Sequence, residues 1–271
     1  MKDDACIHLC QPDAYKSCAA CCGLYNYADS TKETLGKRLR NRTKYFRNIV
    51  KCPDDLRHFS EIMRMSEDQE KRYEVIYCCE YVGFLDDNEK KVGCLLHPCR
   101  NDGSDLRGVS FYGSELCGGH LCPSYHYLSR EEKLAIINIT DDWYLYGLCV
   151  TDIDLVKLYF RIISERVYEM PAPEIFKESV IKDIVLRFFS FKISWPFRSP
   201  AANRFGKYYF DGSEYMISHI NYKALGSEGS RFNGIFLSLS SEFENIEELK
   251  EGEDLIQRNI DEFVRVYSQF R

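Results

Sequence analysis

Cys18-Ala19-Ala20-Cys21-Cys22-Gly23 places three thiols within five residues and follows them with a glycine. Glycine adopts a left-handed turn at little steric cost, so the chain can reverse here and present its thiols to one side. A Cys-x-x-Cys knuckle is half of a common tetrahedral site, because thiolates bind zinc and softer ions. The stretch therefore predicts a loop organised around a metal.

The 13 cysteines of this 271-residue chain are concentrated in its first half. Twelve of them precede residue 123, and only Cys149 follows it. A disulfide framework is disfavoured by the odd count, by two adjacent pairs and by a start without the apolar region of a secretion signal. Ordinary core packing suits Cys52 and Cys149 but does not explain the clustering. Metal binding by one cysteine-rich module is the favoured interpretation.

Two later stretches repeat the pattern of two cysteines with a histidine between them. They are Cys94-Leu-Leu-His97-Pro-Cys99 and Cys117-Gly-Gly-His120-Leu-Cys122. Their glycines and prolines predict ligand loops rather than helices. Either histidine could be a ligand or could hydrogen-bond a thiolate, with a partly exposed polar residue as the equal alternative. Spacing thus singles out Cys18, Cys21, Cys22, Cys94, Cys99, Cys117 and Cys122 as candidate ligands.

At these residues the sequence resembles the bacterial CxxCxxCC (YkgJ-like) cysteine-cluster proteins, a family described as zinc- or iron-chelating. The resemblance covers about residues 6–125 and differs from the family pattern in the eight residues from Cys10 to Cys18 and in the additional Cys117 and Cys122. It implies bound zinc or iron without a settled reaction, and it adds Cys79 to the candidate ligands. The matching stretches are Cys18 to Gly23, Cys79-Glu-Tyr-Val-Gly-Phe84-Leu85-Asp86-Asp87 through Gly93-Cys94, and Cys99-Arg100.

Hydrophobic periodicity predicts a mostly α (α+β) fold. We expect a cysteine-rich, loop-rich metal-binding module over residues 1–127, packed on a mainly helical part over 128–271 that contains a small β-hairpin; one continuous globular domain is the alternative. The hairpin is predicted at Lys207 to Met216, around an Asp-Gly turn. Residues 84–127 are predicted to be mostly loop. Helices are predicted over 31–51, from Leu56, over about 70–81, from the capping box Ser129–Glu132, from Thr151 to before Pro171, around Phe176 to Phe188, and over 256–270.

Charge and hydropathy exclude several classes of partner. The formal net charge of −6 does not favour a polyanion such as bulk DNA, and no apolar run is long enough for a membrane helix. Residues 32–51 carry eight Lys and Arg against one Glu, a net charge of +7, and could contact nucleic acid or an acidic protein. A solvated helix face is the favoured interpretation of this basic stretch. We expect a cytoplasmic protein without a membrane segment.

Four functions are compatible with these features. The favoured one is a cytoplasmic metal-binding protein whose cysteine thiolates hold zinc in a structural role. An iron or iron–sulfur redox protein and a metal-dependent enzyme with an open coordination position are the alternatives. A fourth is an interaction protein whose surface is shaped by zinc. No catalytic residue is assigned, and neither a substrate nor a partner follows from the sequence.

Overall fold

A computed structural model describes residues 7–201 and 203–270, so Cys6 lies outside the described residues. The chain divides into two compact units. The cysteine unit comprises His8–His126 and Asp142–Gly147, and the helical unit comprises Tyr127–Asp141 together with residues 7, 148–201 and 203–270. The fold is mostly helical with two small antiparallel sheets, which confirms the predicted class.

Two helices and a short hairpin form the framework of the cysteine unit. Helix α1 (Lys32–Ile49) begins at Thr31, whose side chain accepts a hydrogen bond from the Thr34 N–H, and helix α2 spans Asp55–Ser66. Strands β1 (Val82–Phe84) and β2 (Val92–Cys94) pair antiparallel, with Val82 opposite Cys94. Phe59 of α2 stacks on Tyr81 and meets Phe46 of α1 edge to face, so an aromatic core joins both helices to the hairpin.

The basic stretch is a solvated helix face only in part. Arg42 and Arg38 are buried on α1, and both form ion pairs with Glu67 at 2.6 Å. The other basic side chains of the stretch are exposed, and two of them, Arg40 and Arg47, pair with carboxylates of the segment after β1. Carboxylates distant in sequence therefore fold onto α1 and neutralise part of the predicted +7 charge.

The helix predicted over residues 70–81 is wrong. This segment is a series of turns, and several of its backbone groups bond to residues 22–28. The Asn26 amide donates to the carbonyl groups of Tyr73 and Ile76, both at 2.9 Å, and the Cys79 N–H donates to the Cys22 carbonyl at 2.9 Å. A helix would need these groups for its own i to i−4 bonds. Pairing between segments has displaced local helix formation.

The rest of the cysteine unit contains more helix than predicted. Helix α3 spans Gly113–Gly119 and includes Cys117, and the short helix α4 spans Pro123–Tyr127, at the boundary between the units. Gly118 and Gly119 therefore lie in a helix rather than in a ligand loop. Residues 84–127 are nevertheless mostly loop and turn, as predicted, apart from β2, α3 and α4.

Helices make up most of the second unit, and the sequence predicts them well. Helix α5 (Arg130–Ile139) begins with the predicted capping box of Ser129 and Glu132. Helix α6 (Trp143–Val150) crosses the unit boundary, and α7 (Ile153–Val167), α8 (Ser179–Ser194), the short α9 (Asn233–Ser238) and α10 (Ile246–Tyr267) follow. Helix α10 starts ten residues earlier than the pattern predicted.

An aromatic core and a buried polar bridge hold the helical unit together. Tyr159 of α7 stacks on Phe188 of α8 at 4.1 Å between ring centroids. The Asn259 side chain of α10 donates to the Ile184 carbonyl at 2.7 Å and lies 3.2 Å from the Tyr159 hydroxyl. These bonds satisfy the polar groups that enter the core.

The predicted hairpin is confirmed. Strands β3 (Tyr208–Asp211) and β4 (Glu214–Ile217) pair antiparallel, and Gly212 adopts a positive φ of 60° at the turn. Across residues 7–201 and 203–270, no helix is both long and apolar enough to cross a membrane.

Candidate metal centre

Eleven of the twelve described cysteines belong to the cysteine unit. Cys149 is the exception, because it is fully buried in the helical unit. None of the twelve forms a disulfide with another described cysteine. The interpretation of Cys149 as a core residue is therefore confirmed, whereas that of Cys52 is wrong, because Cys52 is exposed. The disulfide framework does not occur among the described cysteines.

Four of these thiols form a first thiol group, which consists of Cys10, Cys18, Cys21 and Cys122. The Cys18 N–H donates to the Cys10 carbonyl at 2.9 Å, which joins the N-terminal segment to the knuckle. The Cys21 thiol donates to the Cys122 sulfur, and this hydrogen bond lowers the pKa of Cys122 below its usual value. Burial, with smaller contributions from the charges of Cys10 and Cys122, raises the pKa of Cys18 to about 12.

A second thiol group consists of Cys22, Cys79, Cys94 and Cys117. The Cys79 N–H bonds to the Cys22 carbonyl, Cys94 ends strand β2, and Cys117 lies on α3 with its sulfur 3.3 Å from the Ser110 hydroxyl. Burial raises the pKa of Cys22 well above its usual value, and the charges of the other three thiols, and of Cys18 in the first group, add to this effect. Burial also raises the pKa of Cys79 to about 12.

Backbone N–H groups point at the sulfur atoms of both groups. Such bonds stabilise the thiolate, which is the form of cysteine that binds a metal. In the first group the Cys18 sulfur accepts from the Ala20 N–H at 3.5 Å. Each of four cysteines accepts from the N–H two residues later, and Cys122 also accepts from the Tyr125 N–H three residues later. The pairs are Cys18 with Ala20, Cys79 with Tyr81, Cys94 with Leu96, and Cys122 with Ser124.

Gly23 fixes the direction in which the chain leaves the knuckle. Its φ of +78° is left-handed, and a Cβ at this position would lie 2.1 Å from the Tyr77 carbonyl oxygen. Only glycine combines this backbone conformation with so close an approach. The left-handed turn predicted from the glycine is confirmed, and it brings Cys22 against the segment that carries Cys79.

Seven of the eight candidate ligands fall into the two groups. The eighth, Cys99, is exposed, and its N–H donates to the Nδ1 atom of His97 at 3.1 Å. Cys10 takes the fourth place in the first group, and the sequence reasoning missed it. Its only signal was its position before the knuckle. His97 and His120 belong to neither group: His97 caps a short turn and His120 is exposed.

The thiols of each group are neighbours that have not converged on one point. Among the described residues, no three or more His, Cys, Asp or Glu side chains already stand where they could hold a metal ion together. The thiols of a group shift one another's pKa values because their charges interact. Charges interact over longer distances than those at which several sulfur atoms bind one ion. An ion would therefore require side chains within a group to turn toward a common centre. Four thiols are a suitable donor set for zinc or iron. An experiment must test whether the thiols of each group converge on one ion.

No protein-family model, no curated protein and no solved structure matches the chain. The cysteine-cluster resemblance thus stays a prediction from the quoted residues. The argument for a metal rests on the placement and environment of the thiols themselves.

Proposed function

We propose that the protein is a cytoplasmic metal-binding protein in which each thiol group holds one zinc ion. Four cysteines per ion match the closed tetrahedral site of structural zinc, with sulfur at about 2.3 Å from the metal. One observation carries the proposal: eight thiols of a single unit fall into two groups of four, and two thiols of each group accept backbone N–H bonds. The free state of the described cysteines accords with a reducing compartment.

A zinc ion in either group would act as a cross-link. A site closed by four thiolates has no open position for a substrate, which favours a structural role over a catalytic one. The first group would tie Cys10 and the knuckle to Cys122, and the second would tie Cys22 to β2 and α3. The cysteine unit has only short strands and several turns between its helices, so the binding energy of the metal would supply stability that regular structure does not.

Metal analysis of the full chain, purified without added metal, tests the proposal. We expect two zinc ions per chain and a colourless protein. Cys10→Ser and Cys94→Ser should each lose one ion, because each removes a ligand from a different group. Cys99→Ser is the matched control and should keep both ions.

Three results would contradict the proposal in different ways. A wild-type protein without stoichiometric metal would refute metal binding. Equal metal loss in Cys99→Ser and Cys10→Ser would refute the grouping of the thiols. A brown protein that contains iron would replace zinc by iron or an iron–sulfur cluster, since four thiolates also suit those centres.

A further inference from the structure

A polar cavity of about 170 Å³ lies inside the cysteine unit, apart from the eight thiols of the two groups. Its lining includes the side chains of Arg42, Glu67, Lys71, Cys78 and Glu80. The volume equals the share of about five or six waters in the liquid, enough for a small polar molecule. The cavity is thus bounded by side chains that carry charge or a thiol.

Two of the charged side chains on this cavity are deeply buried and held in fixed positions. The Arg42 side chain is 2% exposed and makes two bonds to Glu67, at 2.8 and 2.6 Å, one to the Tyr27 hydroxyl at 2.6 Å and one to the Cys79 carbonyl at 2.9 Å. Glu80 is 5% exposed and bonds to Ser60, Tyr77 and Arg64. A guanidinium has five N–H groups, so these bonds leave Arg42 with one donor.

The charges around the cavity do not balance. Arg38 and Arg42 share the single carboxylate of Glu67, and Arg64 pairs with Glu80 at 2.9 Å. Lys71 also lines the cavity, is partly buried and forms no ion pair with the described residues. Three cations of the lining, Arg42, Arg64 and Lys71, therefore face the two carboxylates of Glu67 and Glu80. The unmatched positive charge is that of Lys71, and such a charge at a cavity attracts an anion.

We propose that this cavity binds a small oxyanion, either a carboxylate or a phosphate group, through the Lys71 ammonium and the remaining Arg42 donor. The bound oxyanion would lie beside the Cys78 thiol, which accepts a hydrogen bond from the Asn26 amide at 3.6 Å. The proposal goes beyond metal binding and stands without it, because neither Cys78 nor Lys71 belongs to a thiol group.

Calorimetric titration of the full chain with inorganic phosphate and, separately, with acetate tests the proposal at constant ionic strength. We expect at least one anion to bind with a dissociation constant of about 1 mM or lower. Lys71→Gln should weaken binding about tenfold, because it removes a charged donor. Lys37→Gln is the matched control: Lys37 is exposed on α1 and does not line the cavity, and its loss changes the net charge equally.

Alkylation of Cys78 by iodoacetamide, read by mass spectrometry, gives a second measurement. A bound anion should slow alkylation of Cys78 but not of the exposed Cys52 in the same molecule. Binding of phosphate alone identifies a phosphorylated ligand, and binding of acetate alone identifies a carboxylate. If neither anion binds, or if Lys71→Gln binds as tightly as the wild type, the cavity holds only water and the proposal is overturned.

Discussion

The substitution Cys122→Ser gives the sharpest test of a metal cross-link in the first thiol group. Cys122 is separated by about 100 residues from Cys21, with which it shares a hydrogen bond. Removing a cross-link around a loop of about 100 residues costs about 4.7 kcal/mol in the chain-entropy treatment derived for disulfides. A zinc ion that joins the same positions should constrain the unfolded chain to a similar degree.

That free energy corresponds to a decrease of roughly 10–20 °C in the unfolding midpoint of a unit of this size. Thermal unfolding of the full chain, together with metal analysis of the same sample, measures the effect. Cys52→Ser is the control, because Cys52 is exposed and lies outside both thiol groups. Its unfolding free energy should change by no more than about 0.5 kcal/mol.

Removal of the metal separates a cross-link from ordinary packing. After chelation, the wild type and Cys122→Ser should differ by about 1 kcal/mol at most, since only the hydrogen bond from Cys21 distinguishes them. A large difference that persists without metal would show that the serine disturbs packing. Retention of metal and midpoint by Cys122→Ser would refute the cross-link itself.

Three further predictions follow from buried groups of the cysteine unit. Glu67→Gln should destabilise the protein by about 3–5 kcal/mol, because it leaves Arg38 and Arg42 buried without a carboxylate. Urea unfolding measures this free energy, and a change below about 1 kcal/mol would contradict the prediction. Gly23→Ala should reduce both stability and metal content, because its Cβ would collide with the Tyr77 carbonyl, and an unchanged metal content would argue against this role. Metal binding to the first thiol group at pH 7 should release protons, since Cys10, Cys18 and Cys21 have raised pKa values and must ionise to bind the ion. Affinity should then fall as the pH decreases from 7, and calorimetry in buffers of different ionisation enthalpy would contradict the prediction if it detected no proton release.

The sequence predicted best those elements whose residues interact with near neighbours in the chain. The capping box at Ser129 and the turn at Gly212 depend on contacts within four residues, and both formed as expected. Residues 70–81 failed because Asn26, nearly fifty residues away, binds their backbone groups. The hydrophobic periodicity of a short stretch of sequence cannot reveal a hydrogen-bond partner that is distant in the chain.

The candidate site shows the same division between local and distant information. Spacing identified the knuckle at Cys18 because its thiols are close in the chain. Spacing predicted Cys99 as a ligand because Cys99 lies close to Cys94 in the chain. It missed Cys10, whose position in the first thiol group depends on a backbone hydrogen bond with Cys18. The burial of Arg42 was equally invisible, because its partner Glu67 lies on the segment after α2.

The adjacent cysteines, which argue against disulfides in the sequence, have a positive role in the structure. Residues 20–22 form a 3-10 turn, in which neighbouring side chains project about 120° apart. Cys21 and Cys22 therefore cannot readily serve one ion, and they enter different thiol groups. The second doublet divides in the same way, since Cys79 joins the second thiol group while Cys78 faces the charged cavity. Two adjacent cysteines can thus place their thiols in separate environments although they share one point of the backbone. For this reason the four cysteines of the two doublets are divided among two proposed metal centres and the charged cavity.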